Sequence, residues 1–473
     1  MNQLPNYPQI SDAERFPLLT PSGRELLHAL REHPQAPIWN WPNGEQLDEA
    51  GLDQVRQFAA SLDHTAAQDY TAAQDHTAQP PWLPSLVEFC LEAVPFYRRH
   101  AKAGTAFDEL PSCTRDDLAN APWDFVPDSQ PLDRLIVFSS SGTTGHPAQL
   151  PTHPVAAACG VPLLERVLAD VGVRFPRGSD DVAIASITDY PGAYSTANLI
   201  SYLDEAGYIR VNLQPDAWKA AGDSRGFLDA WRGAVLLSDP VALDSLTRHG
   251  LGYPPRAIVS SIATLTDGLT ERLRERFGCP VLDLYAMTEA GIVAVKAGPG
   301  HRIVPGDLYV EILDEHDRAC PPGVRGEVTL TGGRNPFCPL LRYRTGDFAS
   351  LRWEDDELYL CDLEGRDPVL FAAPDGGVVH SMQVSRAMRT YPLAQYSLWQ
   401  AADGRLTFTW RGSACGRSRD ATDGQLADAI RGELLDLFGK DVSLELTHQT
   451  EPALRQRKVV QYRSERPRAN HVG

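Results

Sequence analysis

Residues 135–146 read LIVFSSSGTTGH. The first four are apolar and strand-like, and VAAACGVPLLERVLADV (155–171) after them is helix-like. Between them lie Ser139, Ser140, Ser141, Gly142, Thr143, Thr144, Gly145 and His146. A glycine-rich connection can curl its amides round an anion, and hydroxyls add donors. The pattern Gly-x-x-x-x-Gly-Lys-Ser/Thr is absent, so this is not a Walker loop. Read alone, the stretch fits a phosphate cradle or a plain Ser/Gly loop.

Outward from it the chain alternates. VAIASI (182–187), AVLLS (234–238), AIVSSIA (257–263) and VLDLYA (281–286) are short apolar runs that suit strands buried on both faces. DGLTERLRERFG (267–278) is an amphipathic helix closed by glycine, and LPSLVEFCLEAVPFYRRH (83–100) also has helical spacing. From Asp307 the texture becomes antiparallel: DLYVEIL, GEVTLT and DELYLCDLE, with turns such as Pro-Pro-Gly. After Gly365, GRLTFTW (404–410), QLADAIRGELLDLFG (425–439) and VSLELT (442–447) read β-α-β. The fold class is α/β. We expect a large N-terminal domain over residues 1–364, with mixed sheets flanked by helices and a small β-barrel-like part. A small α+β C-terminal domain over 365–473 would cap the site, hinged near EGRDP (364–368). The repeat DHTAAQDYTAAQDHTAQPPW (63–82) has a six-residue period and reads as an exposed low-complexity insertion, part of it helical.

Composition bounds the function. The 473 residues carry a formal net charge of −18, which argues against nucleic-acid and anionic-membrane surfaces. The N-terminus lacks the basic-then-apolar pattern of a signal peptide, and no apolar run reaches membrane-spanning length. Eight scattered cysteines without a CxxC pair fit reduced thiols and a cytoplasmic location. Nothing in the sequence excludes a homodimer.

Four more stretches join the first: LYAMTEAG (284–291), LLRYRTGDFASL (340–351), LEGRDPVLF (363–371) and RQRKVVQYR (455–463). In this order the set resembles the adenylate-forming enzymes, and within them the phenylacetate-CoA ligase branch. FDELPSCTRDDLANAPWDF (107–125) resembles that branch's entry segment. The resemblance spans roughly residues 94–460. It implies ATP, magnesium and a carboxylic acid as ligands, with CoA as probable co-substrate. It places Ser140, Ser141, Gly142, Thr143, Thr144 and Gly145 round the β,γ-phosphates. Tyr285 would stack near adenine, with Ala286 beside it and a mostly backbone contact from Ser261 and Ala263 in SSIATLTDG (260–268). Thr288 would touch the α-phosphate and Glu289 hold magnesium; Asp347 would accept the ribose hydroxyls and Arg366 pair with ribose or phosphate. Magnesium and cationic groups are needed because a carboxylate must approach the α-phosphorus of another anion. The acyl pocket would use TDYPGAYSTANLISYL (188–203), a strand-loop-helix. Asp189, Tyr190, Ala193, Tyr194 and Tyr285 would line it, which suits an aryl or arylacetic acid.

The chain departs from that pattern. His146-Pro147-Ala148 replaces a lysine-bearing segment, Ala286 stands where glycine is usual, and Pro368 sits where relatives pivot their C-terminal domain. The catalytic lysine is either Lys458 or, in a register set by Val459 and Val460, Arg455. Three functions stay open: activation of an acid with transfer to CoA, the same activation with an amine or carrier-protein thiol as acceptor, or a non-catalytic nucleotide binder. Keeping both the phosphate loop and Glu289 favours the first two.

Overall fold

The computed structural model describes residues 10–65, 79–132, 134–139, 148–304, 307–355, 357–365, 369–412, 422–449 and 459–466. After a one-turn helix at Asp12–Arg15 come helices α1 (Pro21–Glu32) and α2 (Glu49–Thr65). The expected helix over 83–100 is two, Leu83–Ala93 and Pro95–His100. Val94 between them is extended because it precedes proline. Strands β1 (Ile136–Ser139) and β2 (Gln149–Thr152) pair antiparallel, with Ser139 opposite Gln149. The glycine-rich stretch therefore joins two strands of a hairpin rather than a strand and a helix. Helix α3 (Gly160–Ala169) follows.

A parallel sheet is then built from β3 (Val182–Thr188), β4 (Thr196–Ile200), β5 (Ala206–Asn212), β6 (Val235–Ser238), β7 (Ala257–Ser260) and β8 (Val281–Met287). Their order is β8-β7-β6-β3-β5-β4, with β4 antiparallel at the edge. Every residue of β3 is buried, as its unbroken apolar run requires. One face packs on α1, on α4 (Pro240–His249) and on α5 (Asp267–Phe277); the other packs on α2 and α3. Two expectations are corrected. AIVSSIA is strand only to Ser260, because Ile262 turns the chain at φ +80°. The segment after β3 holds the strand β4 and no α-helix.

The antiparallel strands are β9 (Gly291–Ala297), β10 (Gly300–Ile303), β11 (Leu308–Leu313), β12 (Gly326–Gly332), β13 (Leu340–Glu354) and β14 (Glu357–Gly365). They are hydrogen-bonded to the parallel part through β10, which pairs with β9 and β14. With the two-residue strand Cys113–Thr114 paired parallel to β13, a single 13-stranded sheet results, so the barrel-like part is a continuation of the main sheet. A C-terminal unit carries β15 (Leu393–Gln400), β16 (Leu406–Gly412), α6 (Asp423–Phe438), β17 (Leu444–His448) and β18 (Tyr462–Ser464), in the order β17-β16-β15-β18. Its core, from Phe371 to Val442, is its own. The parallel pairing of β16 with β17 across α6 is the β-α-β unit read from the sequence. Of the repeat over 63–82, α2 takes its first residues and 66–78 lie outside the described residues.

One buried carboxyl in this frame titrates in an accessible range. Glu311 on β11 is buried, with Arg342 Nε 4.0 Å away. Burial pushes its carboxyl from 4.5 up to about 7, against the opposing pull of Arg342. Unfolded chains lose this proton near pH 4.5 while the folded chain keeps it to about 7, so stability falls as pH rises between the two. At about 1.4 kcal/mol per pH unit, Glu311→Gln should gain roughly 2–3 kcal/mol more on wild type at pH 8 than at pH 5. Arg342 retains its carbonyl partners Asp108, Leu110 and Asp317 in that variant. Urea unfolding at the two pH values reads the difference, and parallel pH profiles would refute it.

Candidate active site

The nucleotide side is built on the β8–β9 turn. Met287 pairs with Gly291, leaving Thr288, Glu289 and Ala290 as a three-residue hairpin loop. Gly291 closes it at φ +70°, the left-handed position such loops need. The loop lifts Thr288 into solvent and leaves Glu289 half-exposed. Glu289 Oε1 accepts a hydrogen bond from the buried Tyr343 hydroxyl at 3.2 Å. Among the described residues its second oxygen has no protein donor. A carboxylate tethered through one oxygen and open at the other fits a magnesium ligand. No group of three or more metal-type side chains occurs among the described residues, so such an ion would take its remaining ligands from nucleotide and water.

Tyr285, three residues before Thr288 on β8, donates its hydroxyl to Asp347 Oδ2 at 2.8 Å. Burial and that neighbouring carboxylate push the Tyr285 pKa well above 10, so it remains a donor. Asp347 lies on β13 opposite Gly365 of β14, and its amide donates to Thr345 Oγ1 at 3.1 Å. The pairing sets Gly365, the last described residue before Arg366, opposite Asp347. Ser261 and Ala263 flank Ile262, whose side chain is 58 % exposed. A β-branched residue at positive φ is strained, and strain of this kind concentrates at functional loops. Sequence reading passed over Ile262, since nothing local marks a positive φ at isoleucine. Ser140, Ser141, Gly142, Thr143, Thr144, Gly145, Arg366, Pro368, Arg455 and Lys458 lie outside the described residues.

The acyl side differs from expectation at Asp189. Its side chain does not line an open pocket. It is 8 % exposed and accepts from Gln214 Nε2 at 2.5 Å and from the Ser245 hydroxyl of α4. Arg411 Nη2 of β16 stands 3.4 Å from its Oδ2 and donates to Ser245 Oγ at 3.1 Å. Asp189 thus ties the carboxyl end of β3 to the C-terminal unit. Nearby, the Asp267 amide donates to the Arg389 carbonyl, Thr266 Oγ1 donates to the Leu393 carbonyl, and Arg389 pairs with Asp267. Gly268 lets the two backbones touch: a Cβ there would lie 2.4 Å from the Tyr391 carbonyl carbon. Arg411 and Ser245 carried no sequence signal, being ordinary polar positions until the fold pairs them.

Tyr190, Ala193 and Tyr194 share the loop between β3 and β4. Asn212 Nδ2 holds the loop through the carbonyls of Tyr190 at 3.0 Å and Ala193 at 3.5 Å. Ala193 is buried, and the Tyr194 ring lies 5.3 Å from that of Trp41. Arg210 of β5 donates to the hydroxyls of both tyrosines, and sequence reading missed it. A lone arginine inside the strand AGYIRVN was the available sign.

Residues 179–335 match the family described as AMP-binding enzyme. Over that stretch the chain is similar to AMP-binding enzymes. Over most of its length the fold of the chain matches that of 2-hydroxyisobutyryl-CoA ligase in complex with 2-HIB-AMP. The TM-score is 0.59 at 16% identity, covering 81% of this chain and 88% of that one. Among curated relatives, the medium/long-chain-fatty-acid–CoA ligase of Mycobacterium marinum is 27% identical over 44% of this chain and 40% of its own length. The oxalate–CoA ligase of Arabidopsis thaliana is 27% identical over 43% of this chain and 41% of its own. The chain thus spans about two-fifths of the length of these relatives. Among the described residues no helix is long and apolar enough to cross a membrane.

Proposed function

We propose that this chain activates a carboxylic acid with ATP to an acyl-adenylate, releasing pyrophosphate, and passes the acyl group to CoA. The observation that carries the reading is the Glu289 hairpin set beside the Tyr285–Asp347 pair, two carboxylates with separate tasks. Asp347 accepts the ribose hydroxyls, oriented by Tyr285. The Thr288 hydroxyl, exposed on the turn, donates to the α-phosphate. Glu289 would hold magnesium, which offsets the charge of the phosphates. The hydroxyls and amides of residues 140–145, with Arg366, cradle the phosphate chain. Lys458 or Arg455, from the C-terminal unit that we place from residue 365, approaches the α-phosphate and the incoming carboxylate. A carboxylate oxygen attacks the α-phosphorus and pyrophosphate leaves; the CoA sulfur then attacks the acyl carbonyl and AMP leaves. The loop with Tyr190 and Tyr194 favours an aromatic or arylacetic acid in the manner of the phenylacetate-CoA ligase branch.

The test is pyrophosphate release from ATP and magnesium with aryl, arylacetic, fatty and amino acids, each with and without CoA. Acid-dependent release with a CoA thioester formed is the expected result. Acid-dependent release that ignores CoA would move the acceptor to an amine or a carrier thiol. Glu289→Gln should lower release by about 100–1000-fold, the scale of losing one preorganised electrostatic group. Unchanged turnover would remove Glu289 from the site.

A further inference from the structure

A cavity of about 270 Å³ lies at the edge of the parallel sheet, among the one-turn helix Asp12–Arg15, α1, the strap 39–43 and the edge strand β4. The strap is fastened in place. The Asn40 and Trp41 amides donate to the Ser195 carbonyl at 3.3 Å, and the Gln46 amide just beyond donates to the Arg15 carbonyl at 2.8 Å. Two indoles line the cavity. Trp39 donates its Nε1 to the Arg31 carbonyl at 3.3 Å, and the Trp41 ring rests 5.3 Å from that of Tyr194.

The polar lining is rich in donors. Arg15 and Arg31 share one carboxylate, Asp12. Arg31 holds both of its oxygens, at 2.6 and 3.0 Å, while Arg15 reaches it only at 3.4 Å. Among the described residues no acidic side chain lines the cavity itself. Burial lowers the Arg15 pKa, Asp12 opposes this, and the Arg31 charge adds to the lowering. Asn40 Oδ1 accepts from the Ser195 amide at 2.8 Å and Asn43 Oδ1 from Thr196 Oγ1 at 2.6 Å. Each of these side chains therefore has its NH2 group left to offer. Two cations sharing one carboxylate call for a second anion, and the amide donors call for acceptors. The indoles suit a flat ring. An apolar cavity of about 150 Å³ admits benzene, so this one has room for a ring with its carboxylate.

We propose that this cavity is a second small-molecule site, which takes an aromatic carboxylate with its ring against Trp39 and Trp41 and its charge on Arg15. The site is separate from the nucleotide end. β4 lies five strand steps from β8 in the sheet, and at about 4.8 Å per step that is roughly 24 Å. An acid held here is not the one set against ATP.

Calorimetric binding of benzoate and indole-3-acetate to the full chain tests it. Acetate, which lacks the ring, and benzyl alcohol, which lacks the charge, are the controls. Wild type should bind at least one of the aromatic acids tenfold or more tighter than either control. Arg15→Gln should weaken that binding about tenfold or more, the scale of losing one charged hydrogen-bond partner. Trp41→Leu should weaken it several-fold. Arg15→Lys keeps the charge and should lose only a few-fold, and thermal unfolding without ligand shows that each variant is folded. An aromatic acid seated only at the nucleotide end would bind independently of Arg15. Binding that survives Arg15→Gln and Trp41→Leu unchanged would therefore overturn the proposal, as would wild type without the preference. Pyrophosphate release is read separately. Arg15-dependent binding in a chain that activates no acid would sink the acid-activating function and leave this site standing.

Discussion

Asp347→Ala is expected to raise the KM for ATP by about 100-fold or more and to lower pyrophosphate release accordingly. Each hydrogen bond to a charged group contributes about 1.5–3 kcal/mol, and the proposed ribose contact uses two. The variant also leaves the Tyr285 hydroxyl, now paired with Asp347 Oδ2, without its acceptor. Two controls separate binding from folding. Tyr285→Phe removes the orienting donor and keeps the carboxylate, so it should lose only a few-fold. Asp347→Asn keeps the shape and one acceptor oxygen and should fall between. If Asp347→Ala turns over ATP with wild-type KM, ribose binding by this carboxylate is wrong and the Tyr285–Asp347 bond is a structural contact only.

The second large effect is expected at the boundary between the main sheet and the C-terminal unit. Asp189→Ala removes the carboxylate facing Arg411, a side chain 5 % exposed. A buried charge stripped of its partner costs about 3–5 kcal/mol. The docked arrangement should therefore weaken by that order, because undocking lets Arg411 return to water. Fluorescence transfer between labels on α4 and α6, or limited proteolysis between the two units, should report a widened separation. The double variant Asp189→Ala/Arg411→Met, which removes both charges, should recover most of the loss. Failure of that rescue would show that Asp189 acts through Gln214 and Ser245 instead. The pair also bears on the departure at Pro368. In the family this chain resembles, the C-terminal domain pivots between half-reactions. Here such a swing must break Asp189–Arg411 as well as the Asp267–Arg389 contacts. Loosening Asp189 should therefore shift the balance between adenylation and transfer, readable as the ratio of pyrophosphate to thioester formed.

These residues differ in how far a linear reading could reach them. The Thr288–Glu289 turn and the Gly346–Asp347 step could be singled out because each is a run of neighbours in the chain, as is the SSSGTTG stretch, of which residues 140–145 lie outside the described residues. The hairpin that carries Glu289 needs only a left-handed glycine at 291, and the sequence supplies it. The buried strands were legible for a similar reason: an apolar run bounded by turn residues has little choice but the interior of a sheet. Element ends were less so. AIVSSIA reads as strand throughout, yet Ile262 turns at positive φ, which no isoleucine announces.

Charged partners lay beyond that reach altogether. The resemblance put Asp189 in the acyl pocket, yet its partner Arg411 stands 222 residues away. Nothing local ranks Arg411 above the other arginines. Arg210 has the opposite history: a polar interruption of an apolar strand, given meaning only by the tyrosine hydroxyls that fold over it. Chain chemistry is written in order and so specifies turns, caps and apolar faces. Which buried charges meet depends on the packing of segments distant in the chain, and the cost of leaving them unpaired is set only once water has been excluded.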